Sequence, residues 1–501
     1  MKVKMIFPGR PIRPMEIRSK NHLVPSETLP ALAAVTPRRH KVEIADENVA
    51  PIRLDDEPDL VAITVYTFLA PRAYAIADAY RARGIPVVLG GLHVTGRPDE
   101  ALEHADFIFV GEADETWPIF LADFERGCAK RVYRPGSSVN IAALARPRRE
   151  LLDQQRYLST ASVTATRGCP YSCSYCFNSV DPLYSHFRKR PVESIVREIR
   201  RHQAAGDNYI VFFDDNLMVD KAYGRALCRA IAPLNVRWRC ASSIELGYDE
   251  PTVRLMAESG CESIFIGLES INAASLAESA KHQNRRKDYE HLVDVIHRHR
   301  IMINASFVFG FDSDDLGVFE RTVEFAKDVK LASINFHILT PYPGTPLFQR
   351  MEQEARILTY DWGKYDTAHA VFQPQQMSPK QLENGYYKAY REFYRWSSIF
   401  KRMPAALTDK PRFLAFNIGL KKMNPLWDMM IRLNVLLPAF RAYNAIDRVL
   451  SGFGRRVTNH GETTKISKRK KPRTTGAQNA RRRKTPTNYV NPLQKILDQA
   501  K

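Results

Sequence analysis

Cys169, Cys173 and Cys176 stand in a CxxxCxxC spacing within Thr166-Arg-Gly-Cys-Pro-Tyr-Ser-Cys-Ser-Tyr-Cys-Phe177, directly after a strand-like run. Three thiolates can hold a 4Fe-4S cluster and leave one iron without a protein ligand. Clusters that only carry electrons normally take four cysteines, so a vacancy at the fourth iron suggests that a substrate or cofactor binds there. Two other readings use the same residues. A structural zinc would want four closed ligands, and His186 could complete such a set. A disulfide is the second, although seven cysteines without a secretory signal fit a reducing compartment better.

Such a loop needs strands behind it. From Val3 to about Arg126, apolar runs alternate with helical segments as a doubly wound parallel sheet requires. VKMIF, VEIAD, LVAITVY, PVVLGG and FIFVGE read as five strands, joined by helices at Leu23 to Val35, Pro71 to Arg83, Pro98 to His104 and Glu115 to Arg126. Ligands of such sheets sit at the carboxyl ends of the strands. Those ends are Thr64-Val-Tyr-Thr67, Gly90-Gly-Leu-His93 and Gly111-Glu112. Gly90 and Gly91 would let backbone approach a bulky planar ligand, and Gly111 leaves another gap in side-chain bulk.

Gly127 to about Leu158 carries prolines and arginines without strong periodicity and reads as a linker. From Ala161 to about Pro341, TASVTATR, NYIVFFDD, VRWRCASS, ESIFIGLES, MINASFVFG and SINFHILT read as six strands. Helices such as Val192 to Ala205 and Asp288 to His299 alternate with them, which describes a partial (β/α) barrel with active groups at the carboxyl ends of its strands. The expected fold is therefore α/β: a Rossmann-like domain at 1–135, a linker at 136–160, a partial TIM-like barrel at 161–345, a helical region at 346–455 and a basic tail at 456–501.

The cysteine motif at this position resembles the fingerprint of the radical S-adenosylmethionine (SAM) enzymes. In that family the open iron chelates the amino and carboxylate groups of SAM, and one electron releases a 5′-deoxyadenosyl radical. The resemblance implies roles for particular residues. Tyr175 would contact adenine, and Val308-Phe-Gly-Phe311 would read its edge. Asp214, in Asp214-Asp215-Asn216 where the family has Gly-Gly-Glu, would accept from the cofactor's ammonium. Glu269 and Ser270 match the ribose contacts. Lys281 and Arg285 could pair with the methionine carboxylate.

The upstream domain, with VVLGGLHVTGRPDEALEHADFIFVGEADETWPIFLADFERG, resembles the cobalamin-binding class of that superfamily, the class of hopanoid methylases and the anaerobic magnesium-protoporphyrin ester oxidative cyclase. The resemblance implies cobalamin over Thr64, Gly90, Gly91 and Gly111. One departure matters. Where many such domains carry a DxHxxG motif, this chain has Asp46-Glu-Asn-Val-Ala-Pro51, with Asn48 in place of the histidine that ligates cobalt. Cobalamin held here would lack a histidine from that motif, and His93 is a candidate substitute.

The implied activity is methylation of an unactivated carbon, dependent on a 4Fe-4S cluster, SAM and cobalamin. An oxidative cyclase or a rearrangement enzyme would use the same cofactors. A non-catalytic Fe-S protein is the rival of another class. The substrate would be a small molecule or a lipid, and the reductant a flavodoxin or ferredoxin.

Composition bounds the rest. The net charge of +19 is unevenly placed, with ten Lys or Arg and no acid between Lys465 and Lys484. That run has no interleaved aromatics, so nucleic acid is not the expected partner. Tyr386, Tyr387, Tyr390, Phe393, Tyr394 and Trp396 are spaced as on a helix, a stripe that is usually core, while the resemblance implies a helical lid over the barrel mouth. Phe413 to Leu450, with Lys421, Lys422, Arg432 and Arg441, would suit peripheral membrane contact as well as packing. The start MKVKMIFPGRPIRP has no signal-like apolar core, and the expected location is the cytoplasm. Cys128, Cys228, Cys240 and Cys261 have no ligand spacing; Cys240 could face the barrel mouth.

Overall fold

The computed structural model describes residues 1–9, 24–157, 159–406 and 409–421. They lie in the first of two compact units, Met1–Phe440 and Arg441–Lys501. The basic tail and most of Phe413 to Leu450 fall outside the described residues. Among the described residues no helix is long and apolar enough to cross a membrane.

The first sheet comprises β1 (Lys2–Phe7), β2 (Lys41–Asp46), β3 (Leu60–Thr64), β4 (Val87–Gly90), β5 (Phe107–Phe109) and β6 (Val132–Tyr133), in the parallel order β2-β1-β3-β4-β5-β6. The order reverses between β1 and β3, the switch point where open α/β sheets form a crevice. All five residues of β3 are buried, as a central strand covered on both faces demands. Ala73, Ile76, Ala77 and Ala101 cover one face, and Leu29, Trp117, Phe120 and Leu121 the other. The sixth strand is too short for a periodic signal, and Tyr133 stacks on Phe109 at 5.4 Å. The helix expected over Leu23 to Val35 spans Thr28–Ala34, and Leu23 lies outside the described residues.

The second sheet opens with β7 (Ser162–Val163), after which β8 (Thr166–Arg167) and β9 (Arg188–Lys189) pair antiparallel on either side of the cysteine loop. Then follow β10 (Tyr209–Phe212), β11 (Arg237–Ser242), β12 (Cys261–Glu269), β13 (Met302–Phe309) and β14 (Ser333–Ile338). The order β14-β13-β12-β11-β10-β7 follows the chain, and every pair is parallel, the arrangement of an open six-stranded barrel. TASVTATR is broken in two for a physical reason: the Asp214 carboxylate, not another strand, takes the N–H groups of Ala165 and Thr166.

Alternation sorts the strands into two faces. Trp238, Cys240, Ile264, Ile266, Ile303, Ala305 and Phe307 pack into the core beneath the helices. Truncating the fully buried Trp238 to alanine would cost about 3–5 kcal/mol. Cys240 therefore does not face the mouth: it lies in that core with Cys228 and Cys261, and burial pushes the Cys228 thiol up to about 12.

The C-terminal aromatic stripe is core, as its spacing suggests, with Tyr386, Tyr390, Phe393 and Tyr394 in the second sheet's cluster. Helix Pro379–Phe393 opens on a capping box at Ser378 and Gln381. The Tyr390 hydroxyl donates to Phe336 O at 3.1 Å and accepts from Phe336 N–H at 3.1 Å; Tyr394 does the same at Ile334, at 2.8 and 3.1 Å. Two phenols thus satisfy the free edge of β14, which would otherwise invite another strand. Upstream, Phe348, Trp362, Tyr365 and Val371 pack on the first sheet's helical layer, joining that core cluster with Ala70 and Ala77.

The two sheets meet at their carboxyl ends. A Cβ on Gly96, beyond β4, would lie 2.4 Å from Pro343 O in the turn beyond β14, and one on Gly344 would lie 3.1 Å from Gly96 Cα. Such backbone contact is open only to glycine on both sides. Trp362 Nε1 donates to Glu100 at 2.7 Å. Arg149 joins Glu27 at 2.6 Å to Glu198 at 2.9 Å, and so links the first domain to helix Val192–Ala204.

Candidate active site

The cysteine loop leaves β8 through Gly168, whose φ of +83° and whose close approach to His186 O exclude a side chain. The loop is pinned at several points. Cys169 N–H donates to Ser185 O at 3.1 Å, Ser174 N–H to Ser279 O at 3.1 Å, and Ser174 O accepts from Leu347 N–H at 2.9 Å. Cys173 is buried and Cys169 and Cys176 are partly so. Burial raises the Cys169 thiol and pushes that of Cys176 up to about 12, and a bound metal would displace those protons to solvent. Among the described residues no three His, Cys, Asp or Glu side chains converge as a single ion would require. A 4Fe-4S cube differs, since each thiolate takes a separate iron.

Around the loop the second sheet presents its strand ends. A register shift between Gly267 and Glu269, with Glu269 left-handed at φ +64°, turns the Glu269 carboxylate into the site. Glu269 Oε1 receives Lys281 Nζ at 2.8 Å, and Oε2 accepts from Ser306 Oγ at 3.3 Å. Burial alone would lower the Lys281 ammonium, but the Glu269 carboxylate and the Cys173 and Cys176 sulfurs more than offset it and hold the pKa above its ordinary value. Tyr175 is set edge-on to Phe311 at 6.2 Å. Its hydroxyl is buried without a partner at hydrogen-bonding geometry, a donor that a bound ligand could use. Gln283 Nε2 reaches Cys173 Sγ at 3.9 Å.

Three expected residues are turned to other tasks. Asp214 lies behind the site: it accepts from Ala165 N–H at 3.1 Å, Thr166 Oγ1 at 2.6 Å and Thr166 N–H, and burial raises its carboxyl to about 7. Ser270 Oγ accepts from Asn272 N–H at 3.0 Å, and Asn272 in turn caps the helix Ala273–Glu278. Arg285 points outward, bonded to Tyr248 Oη at 2.7 Å and Asp288 at 3.0 Å. The acid that does reach the crevice is Asp215. It is solvent-accessible, yet the surrounding protein raises its carboxyl, while Asn178 and the Gly168 N–H pull the other way. Alternation could have found it, because Phe212 is buried, Phe213 exposed, Asp214 buried and Asp215 exposed.

Facing this, Thr64 and Gly90 pair across β3 and β4. Gly91, at φ +112°, brings its Cα so near β3 that a Cβ would sit 2.9 Å from Val65 O. Gly111 accommodates Asp181 from the cysteine-loop side, where a Cβ would lie 2.6 Å from its carboxylate. Asn48 Nδ2 is bound to Asp46 at 2.8 Å and Pro8 O at 3.2 Å. His93 is not a substitute ligand. Its ring is buried beside Trp362 at 5.1 Å, with Nε2 3.3 Å from Glu100. Sequence reading also passed over Arg167, which reaches Glu112 at 3.0 Å and Asp114 at 2.8 Å, and Arg188, 2.5 Å from Glu112.

Comparison with known proteins agrees with this layout. A family model described as the Radical SAM superfamily matches residues 163–326, one described as the B12 binding domain matches 29–121, and a domain of unknown function matches 345–443. Bacteriochlorophyllide d C-12(1)-methyltransferase of Chlorobaculum tepidum is 35% identical over 377 residues, 73% of this chain and 82% of that protein. The C-8(2)-methyltransferase of the same organism is 30% identical over 394 residues, 75% and 86% of the two chains. Among solved structures, the radical S-adenosylmethionine methyltransferase TsrM from Kitasatospora setae, with cobalamin and a 4Fe-4S cluster bound, shares the fold with a TM-score of 0.60 at 16% identity over 89% of this chain and 99% of that one.

Proposed function

This chain belongs to the radical S-adenosylmethionine enzymes that carry a cobalamin-binding domain, and we propose that it is a C-methyltransferase acting on an unactivated carbon of a small molecule. The observation that carries the reading is the meeting of the two sheets at their carboxyl ends, with the cysteine loop on one side and the Thr64, Gly90 and Gly91 crevice on the other. When bound, the reduced cluster and SAM would supply the radical that activates the substrate carbon, and methylcobalamin the methyl group.

The chain's own residues hold and orient. Cys169, Cys173 and Cys176 would ligate three irons. Asp215, rather than Asp214, would accept from the SAM ammonium, and Lys281, steadied by Glu269, would meet its carboxylate. Tyr175 and Phe311 would border the adenine. Thr64, Gly90, Gly91 and Gly111 would floor the cobalamin, with neither Asn48 nor His93 reaching its metal. Arg285 and Ser270 would act at a remove, by shaping the turn around Lys281. A flavodoxin or ferredoxin would deliver electrons. The basic segment after the described helices would, in this reading, let the protein touch an anionic membrane surface.

The test uses protein purified anaerobically, reconstituted with iron and sulfide, and supplied with cobalamin. Retained cobalamin, with 5′-deoxyadenosine and S-adenosylhomocysteine both formed after reduction, is the expected result. Deoxyadenosine without S-adenosylhomocysteine would move the reading to a cyclase or rearrangement. No cleavage of SAM at all would leave a non-catalytic Fe-S protein.

A further inference from the structure

The lumen face of the second sheet holds two large aromatic side chains open to solvent. Phe213, just beyond β10, is 45% exposed, and Phe265, within β12, is 36% exposed. Their neighbours Phe212, Ile264 and Ile266 are buried in the core beneath the helices, so alternation sends Phe213 and Phe265 to the opposite face. Between β10 and β12 runs β11, whose Ala241 pairs with Phe265. A small residue therefore separates two phenyl rings. Two strand intervals of about 4.8 Å set these aromatic positions about 10 Å apart, room for a flat ring system to enter edge-on.

One step deeper on the same face of β11 stands Arg239, partly exposed, with no acid within ion-pair distance among the described residues. Its neighbour Arg237 differs, being paired with Glu262 at 3.6 Å, an acid that Arg412 also approaches at 3.6 Å. A partly exposed guanidinium without an acid partner offers its planar fork to a carboxylate, a pairing that is charge-assisted and bidentate.

We infer that this face is the substrate slot and that it takes a planar, largely apolar molecule bearing a carboxylate. The ring lies over Ala241 between Phe213 and Phe265, and the carboxylate meets Arg239. Because Arg239 is the deeper group, the end of the molecule remote from the carboxylate faces the mouth, where Asp215, Glu269 and the cysteine loop gather. The methylated carbon then lies on that remote end. This deepens the proposed methyl transfer and rests on it for the purpose of the slot, whereas the binding test below does not.

The full-length, cluster-reconstituted protein is titrated calorimetrically with 1-pyrenebutyrate, a planar carboxylic acid, and with its neutral amide. Wild type should bind the acid at least about tenfold more tightly. Arg239→Gln should abolish the preference, Arg239→Lys should keep part of it, and Phe265→Ala should weaken acid and amide alike. Iron content and the thermal midpoint report that each variant has folded. Equal binding of acid and amide by wild type, or a preference that survives Arg239→Gln, overturns the inference. Acid preference lost with Arg239→Gln in a protein that transfers no methyl group would support the slot and sink the methyltransferase reading alone.

Discussion

Arg167 Nη1 lies 2.8 Å from Asp114 Oδ2, so the residue that precedes Gly168 and the first loop cysteine is held by the strand end of the other domain. Glu112 shares the same guanidinium at 3.0 Å and binds Arg188 at 2.5 Å. The four charges are mostly buried: Glu112 shows 6% of its side chain, Arg188 9%, Asp114 13% and Arg167 22%. Such a network fixes separation between domains more than it adds net stability, because desolvation offsets much of the attraction.

Arg167→Gln should leave two acids facing each other without their shared cation. The expected cost is about 3 kcal/mol in chemical denaturation. The loss to function should be larger in coupling than in SAM cleavage, with more 5′-deoxyadenosine formed per methyl transferred. Product ratios from the same reaction read this directly. An unchanged ratio with lowered stability would reduce the clasp to a structural role.

Asp214 gives a pH prediction whose sign is the reverse of the usual carboxylate. Its folded carboxyl sits near 7 against an ordinary value of 3.8, so between those values the folded state binds the extra proton. Stability contributed by this group is present at low pH and is lost as pH rises toward 7, by up to about 4 kcal/mol. The difference in unfolding free energy between wild type and Asp214→Asn, measured from pH 4 to 8, should therefore fall across that window and flatten above it. A flat difference throughout would mean that Asp214 ionises normally.

The edge tyrosines should each report locally. Tyr390→Phe removes the hydroxyl that meets Phe336 N–H and O, and Tyr394→Phe the one at Ile334. Each should cost about 1–2 kcal/mol, with faster amide exchange at Phe336 or Ile334 and little change elsewhere. The double variant should also raise the tendency to self-associate through β14, seen by light scattering.

The strands of the first sheet were legible because parallel strands buried on two faces read as apolar runs, as LVAITVY does, and those of the second because one face alternates with the other, as in VRWRCASS. The loop cysteines were legible from spacing alone. What the linear pattern hid was orientation and distant pairing. Arg285 and Lys281 look equivalent in sequence, yet Tyr248, far upstream, draws one outward while Glu269 holds the other in. The tyrosine row read as core, but periodicity reveals a buried face without naming the strand it is buried against, here β14.

The same blindness singled out Asp214, whose oxygens face Ala165 and Thr166, and its neighbour Asp215 yields the sharpest test of the site. Asp214 and Asp215 are adjacent, so any effect of their general neighbourhood should act on both. Only Asp215 reaches the crevice; Asp214 spends its oxygens on Ala165 and Thr166. Asp215→Asn should weaken SAM binding by about tenfold or more, the worth of one charge-assisted hydrogen bond, with iron content retained. Asp214→Asn should act first on the loop itself, lowering cluster retention and stability together, because its three donors are the ones that turn the chain from β7 into β8. Equilibrium binding of SAM to the reconstituted variants, set beside their iron content, separates the two. Weakened binding in Asp214→Asn at full iron content, with Asp215→Asn unaffected, would return the ammonium contact to Asp214.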